Sequence, residues 1–369
     1  MHPLTVFTIF TLLASSLQLS CVTHDGTEVP WYFMIKYPNK TDTQTGENHR
    51  YAYYDSVMSA GGESNFELRT NYVDIEGEAL YETFNQANTD STLQIIAWND
   101  EPATTTSSSS NEDASTATHS AHSKGVIIYD QSAENGIYLP HSTPQYPAVD
   151  DTGINITVGW SQRVYGQNYL CLSLDKENLE KVAEGMLLTG VTVYYNSITD
   201  KTATNLYKLG KGPSASSTAD DFQTIPFSLG SMNIIGFFKN PYYDTGFIFE
   251  NVMVPYLKDS LLVESWGRPY QAPTCDISGG YETDNIASIK LCNDDEGSWD
   301  NVNDHSKWAI TKTKNYVCSG GMNRMTSQSK RGGAFFCFQD TAFWKVLNGI
   351  ITSVDSCSST ASSFLQLVD

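Results

Sequence analysis

Apolar residues alternate with polar ones, or form short runs, over most of the chain, and both patterns predict β-strands. The predicted strands cover aromatic-rich residues 31–54 and residues 93–100, 125–130, 136–140, 191–195, 233–239 and 261–266. Asn135-Gly136 lies between two of these runs and predicts a hairpin turn there. Two stretches have helical spacing instead, at residues 175–188, which begin with a capping Asp175, and at residues 343–354.

Strands that alternate with isolated helices indicate an α/β or mixed α+β chain, in which sheets are flanked by helices. Two polar segments interrupt the pattern. Residues 103–121 are rich in Ser and Thr and predict a surface loop, and residues 211–221 predict a boundary between two halves. We therefore expect a leader at 1–20, an N-terminal half at 21–211 and a C-terminal half at 212–369.

The N-terminus and the cysteines point to the secretory pathway. Residues 4–17 form an apolar run typical of a signal peptide, with cleavage expected after Ser16 or Ser20, and no later run suggests a membrane anchor. Asn39 and Asn155 head glycosylation sequons. The 7 cysteines contain no CxxC pair, which favours disulfides over zinc and leaves one cysteine unpaired.

The net charge of −20 argues against binding nucleic acid at neutral pH, because an acidic surface repels phosphates. The sequence pI of about 4.6 changes this expectation, since the protein would be close to neutral in an acidic compartment. An acidic site of action is therefore compatible with a polyanionic substrate.

Two of the 7 histidines open the same tripeptide, His122-Ser123-Lys124 and His305-Ser306-Lys307. In an extended segment the His and the Lys face the same side, where Lys can neutralise a phosphate while one His attacks phosphorus and the other protonates the leaving oxygen. A polar pair follows each triplet after some 18 residues: His141-Ser142 and Asn323-Arg324, of which His141, Asn323 and Arg324 are the candidate substrate-binding residues. The repetition suggests an internal duplication with one shared site.

Simpler interpretations exist for each of these residues. A single His-x-Lys on a surface strand is usually solvated, but two identical copies in a chain so poor in histidine favour a site. His141 could bind a phosphate or be an ordinary hydrogen-bonded histidine. Arg324, with Lys330 and Arg331, could contact phosphate or solvent. His119 and His122 have an HxxH spacing without further ligands, so we expect neither a metal nor a cofactor.

Several segments along nearly the whole chain resemble the deoxyribonuclease II family, which is similar to the phospholipase D superfamily in its two His-x-Lys motifs. They are WYFMIKYP at 31–38, NDEP at 99–102, AHSKGV at 121–126, YGQ at 165–167, DHSKW at 304–308 and NRMTSQSKRGG at 323–333. The resemblance implies two phospholipase D-like halves related by a pseudo-twofold axis.

The resemblance also implies catalytic roles for His305 with Lys307 and for His122 with Lys124, and it implies DNA as the substrate. The products would end in 3'-phosphate and 5'-hydroxyl, at acidic pH and without divalent metal, in a secreted or lysosomal protein. By analogy His122 is the nucleophile and His305 the acid. The implied disulfides join Cys21 to Cys171, Cys275 to Cys357 and Cys318 to Cys337, which leaves Cys292.

The chain departs from these patterns at two places. Phospholipase D enzymes have an Asp five residues after the Lys, where this chain has Tyr129 and Lys312, which disfavours a lipid substrate. The family commonly has Gly-Asp before the Asn-Arg pair, where this chain has Gly320-Gly321. If that carboxylate orients a catalytic group, the alternative is a secreted relative with reduced or lost activity that acts as a binding or immune-modulating factor.

Overall fold

The computed structural model describes residues 19–38, 50–103, 119–212, 214–291 and 297–358. The strands of the first part of the chain are β1 (Cys21–Val22), β2 (Glu28–Val29), β3 (Trp31–Lys36), β4 (Tyr51–Asp55), β5 (Glu67–Arg69), β6 (Gln94–Asn99), β7 (Lys124–Asp130), β8 (Asn135–His141), β9 (Ala148–Asp150), β10 (Gly153–Asn155), β11 (Gln167–Asp175) and β12 (Val193–Asn196). Those of the second part are β13 (Phe222–Leu229), β14 (Met232–Lys239), β15 (Leu261–Glu264), β16 (Thr274–Ile277), β17 (Tyr281–Lys290), β18 (Ser298–Asp300), β19 (Trp308–Thr311), β20 (Tyr316–Gly320), β21 (Gly333–Gln339) and β22 (Ile351–Asp355).

The α-helices are short and separated in the chain. They are α1 (Ser56–Gly61), α2 (Ala79–Thr89), α3 (Trp160–Arg163), α4 (Lys176–Thr189), α5 (Thr204–Gly210), α6 (Val254–Leu257) and α7 (Thr341–Ile350). A π-helical turn (Phe249–Met253) precedes α6, and 3-10 turns cover Asn301–Asn303 and Thr326–Lys330.

Two large sheets carry most of the strands. The first has eight, in the order β12-β6-β7-β8-β11-β3-β4-β5. The second has ten, of which eight follow the path β13-β14-β21-β20-β19-β15-β17-β16 while β18 and β22 pair with β17. The first sheet contains residues before the expected boundary at 211 and the second contains residues after it, although the boundary itself stays a prediction.

Helices α4 and α7 lie between the sheets and join them into one core. Helix α4 packs on β8 and β11 of the first sheet and on β13, β14 and β21 of the second. Phe343 of α7 contacts Trp31 and Tyr54 of the first sheet and Phe338 of the second. Strands buried on both faces read as continuous apolar runs. In β3, for example, Phe33 faces this shared core while Tyr32 faces a second cluster under α2.

When the two sheets are aligned on the strands that follow the two triplets, their central strands correspond one to one. Strands β6, β7, β8, β11 and β3 of the first sheet occupy the order that β15, β19, β20, β21 and β14 occupy in the second, and every neighbouring pair among them is antiparallel. The mixed α/β class with two sheet-and-helix halves is therefore confirmed.

Two details of the predicted elements are wrong. The hairpin between β7 and β8 exists, but Asn135 pairs with Asp130 inside the ladder, so the turn lies at residues 131–134 and not at Asn135-Gly136. The last helix ends at Ile350, and residues 351–355 form strand β22 because they pair with β17. The predicted helix at 175–188 is present as α4 with Asp175 as its N-cap.

Three disulfides connect distant parts of the chain: Cys21–Cys171, Cys275–Cys357 and Cys318–Cys337. These are the pairs that the resemblance implies. Asn155 is exposed on the β9–β10 hairpin. Asn39, Cys292, the apolar run at 4–17 and most of the Ser- and Thr-rich loop lie outside the described residues. In the described part of the chain, no helix has the length and apolar character needed to cross a bilayer.

Candidate active site

Each His-Ser-Lys triplet lies at the start of a central strand and is joined by its backbone to the opposite half. Residue 121 forms a parallel bridge with Gly332, and residue 304 forms one with Gly166. The amide of His122 donates to the Gly332 carbonyl at 2.8 Å, and the amide of His305 donates to the Gly166 carbonyl at 2.7 Å. Both histidines are therefore fixed at the junction between the two halves.

The side chains of each triplet point in the directions that the extended backbone predicts. His122 and His305 are partly exposed, whereas Ser123 and Ser306 are buried on the other side. Ser123 accepts a hydrogen bond from Trp98 Nε1 at 3.3 Å. The serines consequently belong to the core, and each triplet presents its His and Lys.

Asp100 holds the charged groups around His122. Its Oδ1 accepts a hydrogen bond from Lys124 Nζ, and its Oδ2 lies 3.3 Å from Arg331 Nη2 and 3.7 Å from His122 Nε2. Burial disfavours the carboxylate, but Lys124, His122 and Arg331 outweigh it and hold the pKa of Asp100 well below its ordinary value. Asp100 is thus ionised at any acidic working pH.

The carbonyl of Gly321 fixes the orientation of His122. His122 Nδ1 lies 2.6 Å from that oxygen. A carbonyl can only accept, so Nδ1 carries the proton and Nε2 has the lone pair when the ring is neutral. Burial and the charge of Lys124 lower the pKa of His122 to about 3, although Asp100 opposes them.

His305 lies between two aromatic rings. The Tyr165 ring stacks on it with centroids 3.9 Å apart, and the Trp266 ring lies at 4.8 Å. In the described residues His305 Nε2 has no hydrogen-bond partner. Burial and the charges of Lys307, Lys124 and His122 lower the pKa of His305 far below its ordinary value. The two histidines therefore act on each other electrostatically.

Lys307 completes a cluster of positive charge. Its amide donates to Asn168 Oδ1 at 2.8 Å, and its Nζ donates to the His305 carbonyl. Burial and repulsion by Lys124 lower the pKa of Lys307 to about 7, so it is charged at acidic pH. Two buried ammonium groups that repel each other form a site for an anion, because the anion would relieve the repulsion.

His141 lies opposite Lys124 on the neighbouring strand β8. It is 1% exposed, Nδ1 accepts a hydrogen bond from the Thr143 amide at 3.2 Å, and Nε2 has no partner in the described chain. Burial and Lys124 lower its pKa to about 3. A substrate-binding role for His141 stays a prediction, and in this structure its ring contacts the rings of Tyr146 and Tyr169.

A substrate-binding role for Arg324 stays a prediction, and in this structure its guanidinium has other partners. The guanidinium is buried, and its donors bond to Glu250, Asn285, Thr274 and the carbonyls of Gln271 and Ala272. It has no donor left for a phosphate. Lys330 is exposed, and only Arg331 of the predicted basic patch reaches the site, through Asp100.

The correspondence between His141-Ser142 and Asn323-Arg324 is wrong. Lys124 is opposite His141, whereas the Lys307 carbonyl accepts a hydrogen bond from Gly320. Gly320 is therefore the equivalent of His141. Asn323 is 4% exposed, and its Oδ1 lacks a partner among the described residues. Its predicted contact with substrate stays untested.

Few described residues could hold a metal. Glu282, Asp284 and Cys357 are close enough together, but Lys312 contacts both carboxylates and Cys357 is disulfide-bonded. This set does not fit a cation. His119 of the HxxH spacing stacks on Tyr242 with centroids 4.0 Å apart.

Sequence reasoning missed five residues of the site: Asp100, Tyr165, Asn168, Trp266 and Arg331. Asp100 and Tyr165 lie in segments that resemble the family, and Arg331 was considered only as a member of a basic patch. Their contacts with the triplets connect residues far apart in the chain, so no local pattern could have shown them.

Comparison with known proteins agrees with the site. The family model for deoxyribonuclease II matches residues 20–357. A protein of Burkholderia thailandensis with the name "Putative deoxyribonuclease-2" is 32% identical over 335 residues, which cover 86% of this chain and 88% of that protein. Deoxyribonuclease-2 of Caenorhabditis elegans is 27% identical, with 95% and 98% covered, and deoxyribonuclease-2-beta of the rat is 26% identical, with 92% and 93% covered.

The match along almost the whole described chain, together with two His-Ser-Lys triplets facing one charged site, shows that this chain is a nuclease of the deoxyribonuclease II family.

Proposed function

We propose that this protein is an acid endonuclease that hydrolyses double-stranded DNA to 3'-phosphate and 5'-hydroxyl ends without a metal. His122 is the nucleophile, His305 the general acid, and Lys124 and Lys307 bind the phosphate. The observation that carries the proposal is the reciprocal anchoring of the triplets, in which each histidine amide bonds to a glycine of the opposite half.

His122 has the features of a nucleophile. The Gly321 carbonyl holds the proton on Nδ1, which leaves the Nε2 lone pair for phosphorus. The pKa of His122, lowered to about 3 by burial and Lys124, keeps the imidazole neutral in an acidic compartment. A histidine of ordinary pKa would be largely protonated there and could not attack.

His305 has the features of an acid in the substrate complex. A bound phosphodiester would raise its pKa, because the anion neutralises the repulsion by Lys307 and Lys124. The faces of Tyr165 and Trp266 would favour the resulting imidazolium through cation–π attraction. Substrate binding itself would thus charge the acid.

The proposed reaction has two steps. His122 Nε2 forms a bond to phosphorus while the bond to the 5'-oxygen breaks, and that oxygen takes the proton of His305. Water then attacks the phosphohistidine and gives a proton to His305, and the nitrogen–phosphorus bond breaks to leave a 3'-phosphate. The attacking and leaving groups lie on opposite sides of phosphorus, as two equivalent halves would place them.

Gly321 favours an active enzyme over an inactive relative. In this chain a Cβ at position 321 would lie 2.8 Å from the His122 carbonyl oxygen and 3.1 Å from Ser123 Cα, so the two backbones approach each other closely here. The acceptor for His122 is the Gly321 backbone and not a side chain. The orientation of His122 therefore does not depend on a carboxylate at position 321.

The acidic surface and the disulfides suit the proposed setting. Three disulfides fit an oxidising compartment, and protonation at low pH reduces the charge of −20 that would repel DNA. We place the protein in the secretory pathway, with lysosomal or extracellular destination.

Plasmid nicking in excess EDTA, from pH 4 to pH 8, tests the proposal. The disulfide-intact protein should nick at acidic pH, and His305→Ala should lose that activity. His24→Ala is a matched control, because His24 pairs with Glu67 away from the site. Nicks that a ligase seals only after removal of a 3'-phosphate and phosphorylation of a 5'-hydroxyl would show the expected ends, and absence of nicking by the unmodified protein would contradict the proposal.

A further inference from the structure

Two buried lysines outside the proposed catalytic groups occupy equivalent places in the two halves. Lys36 is the last residue of β3 and Lys239 the last residue of β14, and they are 2% and 0% exposed. Each pairs with the first residue of the neighbouring strand in its sheet: Lys36 with Gln167 of β11, and Lys239 with Gly333 of β21. Buried lysines normally have a carboxylate partner, whereas the hydrogen-bond acceptors of these two lysines in the described chain are backbone carbonyls.

Lys36 binds a loop through backbone oxygens alone. Its Nζ donates to the carbonyls of Tyr165 at 2.6 Å, Arg163 at 3.1 Å and Tyr37 at 3.2 Å. All three ammonium protons are thereby used. The loop residues 163–165 cannot shift without breaking these bonds.

Lys239 repeats this arrangement in the second half. Its Nζ donates to the carbonyls of Ser329 at 2.8 Å, Arg331 at 3.0 Å and Asn240 at 3.3 Å. The two loops correspond residue for residue, since Arg163 and Tyr165 take the places of Ser329 and Arg331. The same device therefore occurs twice, once in each half.

Each of these loops leads directly to the glycine that holds a histidine. Tyr165 precedes Gly166, whose carbonyl accepts the His305 amide and whose amide donates to Asn303 at 2.9 Å. Arg331 precedes Gly332, whose carbonyl accepts the His122 amide and whose amide donates to Ser120 at 3.2 Å. A lysine of one half thus connects, through one loop, to the histidine of the other.

We infer that Lys36 and Lys239 are positioning residues, each of which fixes the loop that places the catalytic histidine of the opposite half. Lys36 places His305 and its stacking partner Tyr165. Lys239 places His122 and Arg331. The inference rests on the proposed function, because it takes the two histidines as the reacting groups.

The charge of both lysines fits a protein that works in acid. Asp304, Arg163 and Asp74 are the charged groups that act on Lys36, and Asp244 and Asp221 those that act on Lys239. Burial lowers the pKa of Lys36 to about 7 and that of Lys239 to about 8. Both are therefore ammonium groups below neutral pH, with three protons for three carbonyls.

The test compares two substrates in each of two variants, Lys36→Met and Lys239→Met. One substrate is DNA, and the other is thymidine 3'-(p-nitrophenyl phosphate), whose leaving group needs no acid. We expect kcat on DNA to fall about 10- to 100-fold in both variants with little change in KM, as a small misplacement of a reacting group does. The ratio of the two activities does not depend on how much of a variant folds.

The ratio of activity on DNA to activity on the nitrophenyl ester should differ between the two lysine variants. Lys36→Met should act like a weak form of His305→Ala and keep most activity on the nitrophenyl ester. Lys239→Met should act like a weak form of His122→Ala and lose activity on both substrates. Lys312→Met is the matched control, because Lys312 bonds to Glu282 and Asp284 and to neither loop, and its ratio should equal that of the unmodified protein.

Equal losses on both substrates in both lysine variants, or full activity in both, would overturn the inference. If Lys239→Met spares the nitrophenyl ester and Lys36→Met does not, then His122 is the acid and His305 the nucleophile. The positioning role of both lysines is supported in that case too. Loss of the proposed function would look different, since His122→Ala and His305→Ala would then leave DNA cleavage intact.

Discussion

The two halves of the site have equivalent backbone arrangements, and they differ in the residues that surround the imidazole. Strand register places Asn99 opposite Lys124 and Glu264 opposite Trp308, so Trp266 stands where Asp100 stands in the first half. Tyr165 likewise stands where Arg331 stands, since each precedes the glycine that bonds to a histidine. His122 therefore has a carboxylate and a guanidinium beside it, whereas His305 has two aromatic rings.

In the proposed mechanism, this difference lets one duplicated motif supply two chemical roles. The charged neighbours and the Gly321 carbonyl give His122 a fixed tautomer and a free lone pair. The rings around His305 favour its charged form once an anion cancels the lysine charges. In that mechanism, the shared His, Lys and glycine bridges position the reacting groups, and the residues that differ between the halves make one histidine the nucleophile and the other the acid.

The largest effect should come from removing each histidine in turn. We expect His122→Ala to lower cleavage of DNA and of thymidine 3'-(p-nitrophenyl phosphate) by about a thousandfold or more, since no nucleophile remains. His305→Ala should lower DNA cleavage by about 10² to 10⁴ and largely spare the ester. Steady-state rates at pH 5 measure both, and equal behaviour of the variants would remove the distinction between the halves.

Asp100→Asn should have the next largest effect, about 10- to 100-fold on kcat/KM for DNA. Lys124 and Arg331 lose the carboxylate that holds them, and removing one partner of a buried pair also destabilises the fold by about 3 to 5 kcal/mol. Asp100 raises the pKa of His122, so its loss lowers that pKa further. The acid limb of the pH–rate profile should move to lower pH, and a move to higher pH would contradict this account.

Trp266→Leu should have a smaller effect, confined to His305. Loss of the ring removes a cation–π contact of about 0.5 to 2 kcal/mol, which corresponds to a two- to thirtyfold slower cleavage of DNA. The nitrophenyl ester should be cleaved at the normal rate. Trp160→Leu is a suitable control, because Trp160 is 50% exposed and lies outside the site. Equal losses on both substrates would show that Trp266 does not act through the acid.

The smallest effect concerns stability and comes from two histidines of the first half. The pKa of His122 and that of His141 are lowered to about 3 in the folded protein, while unfolded histidine titrates near 6.5. Between these values the unfolded chain binds more protons, so stability is complete above pH 6.5 and falls as pH decreases toward 3.

Removing His141 should lower the number of protons taken up on unfolding by up to one. The slope of the unfolding free energy against pH should then fall by up to about 1.4 kcal/mol per pH unit. Denaturant unfolding of His141→Asn and the unmodified protein, at pH 7 and pH 4.5 with disulfides intact, measures the slope. An unchanged slope would show that His141 is protonated in the folded state.

Much of the fold was predictable because local patterns determine it. The run at 93–100 became β6, and Asp175 caps α4 by accepting from the Asn178 amide. The end of the last helix was not predictable, since residues 351–355 are strand only because β17 lies beside them. The repeated triplets indicated the His and Lys of the site because spacing of two residues fixes their direction.

The rest of the site depends on contacts between the halves. Arg331 reaches Asp100 across 231 positions of the chain, and Asn168 reaches Lys307 across 139. Composition could not separate Arg331 from Arg324, because only packing makes one a neighbour of the site and the other a buried partner of Glu250. A count of charged residues shows which residue types are present, but it does not show which of them lie next to each other in the fold.

The central claim is that both imidazoles act on one phosphorus atom, and a crystal structure with bound vanadate tests it most directly. We expect a single trigonal-bipyramidal vanadate with His122 Nε2 at one apex, His305 hydrogen-bonded to the opposite apical oxygen, and both lysines on equatorial oxygens. Two separate anions, each on one histidine, or one anion that contacts only one of the rings, would contradict the claim.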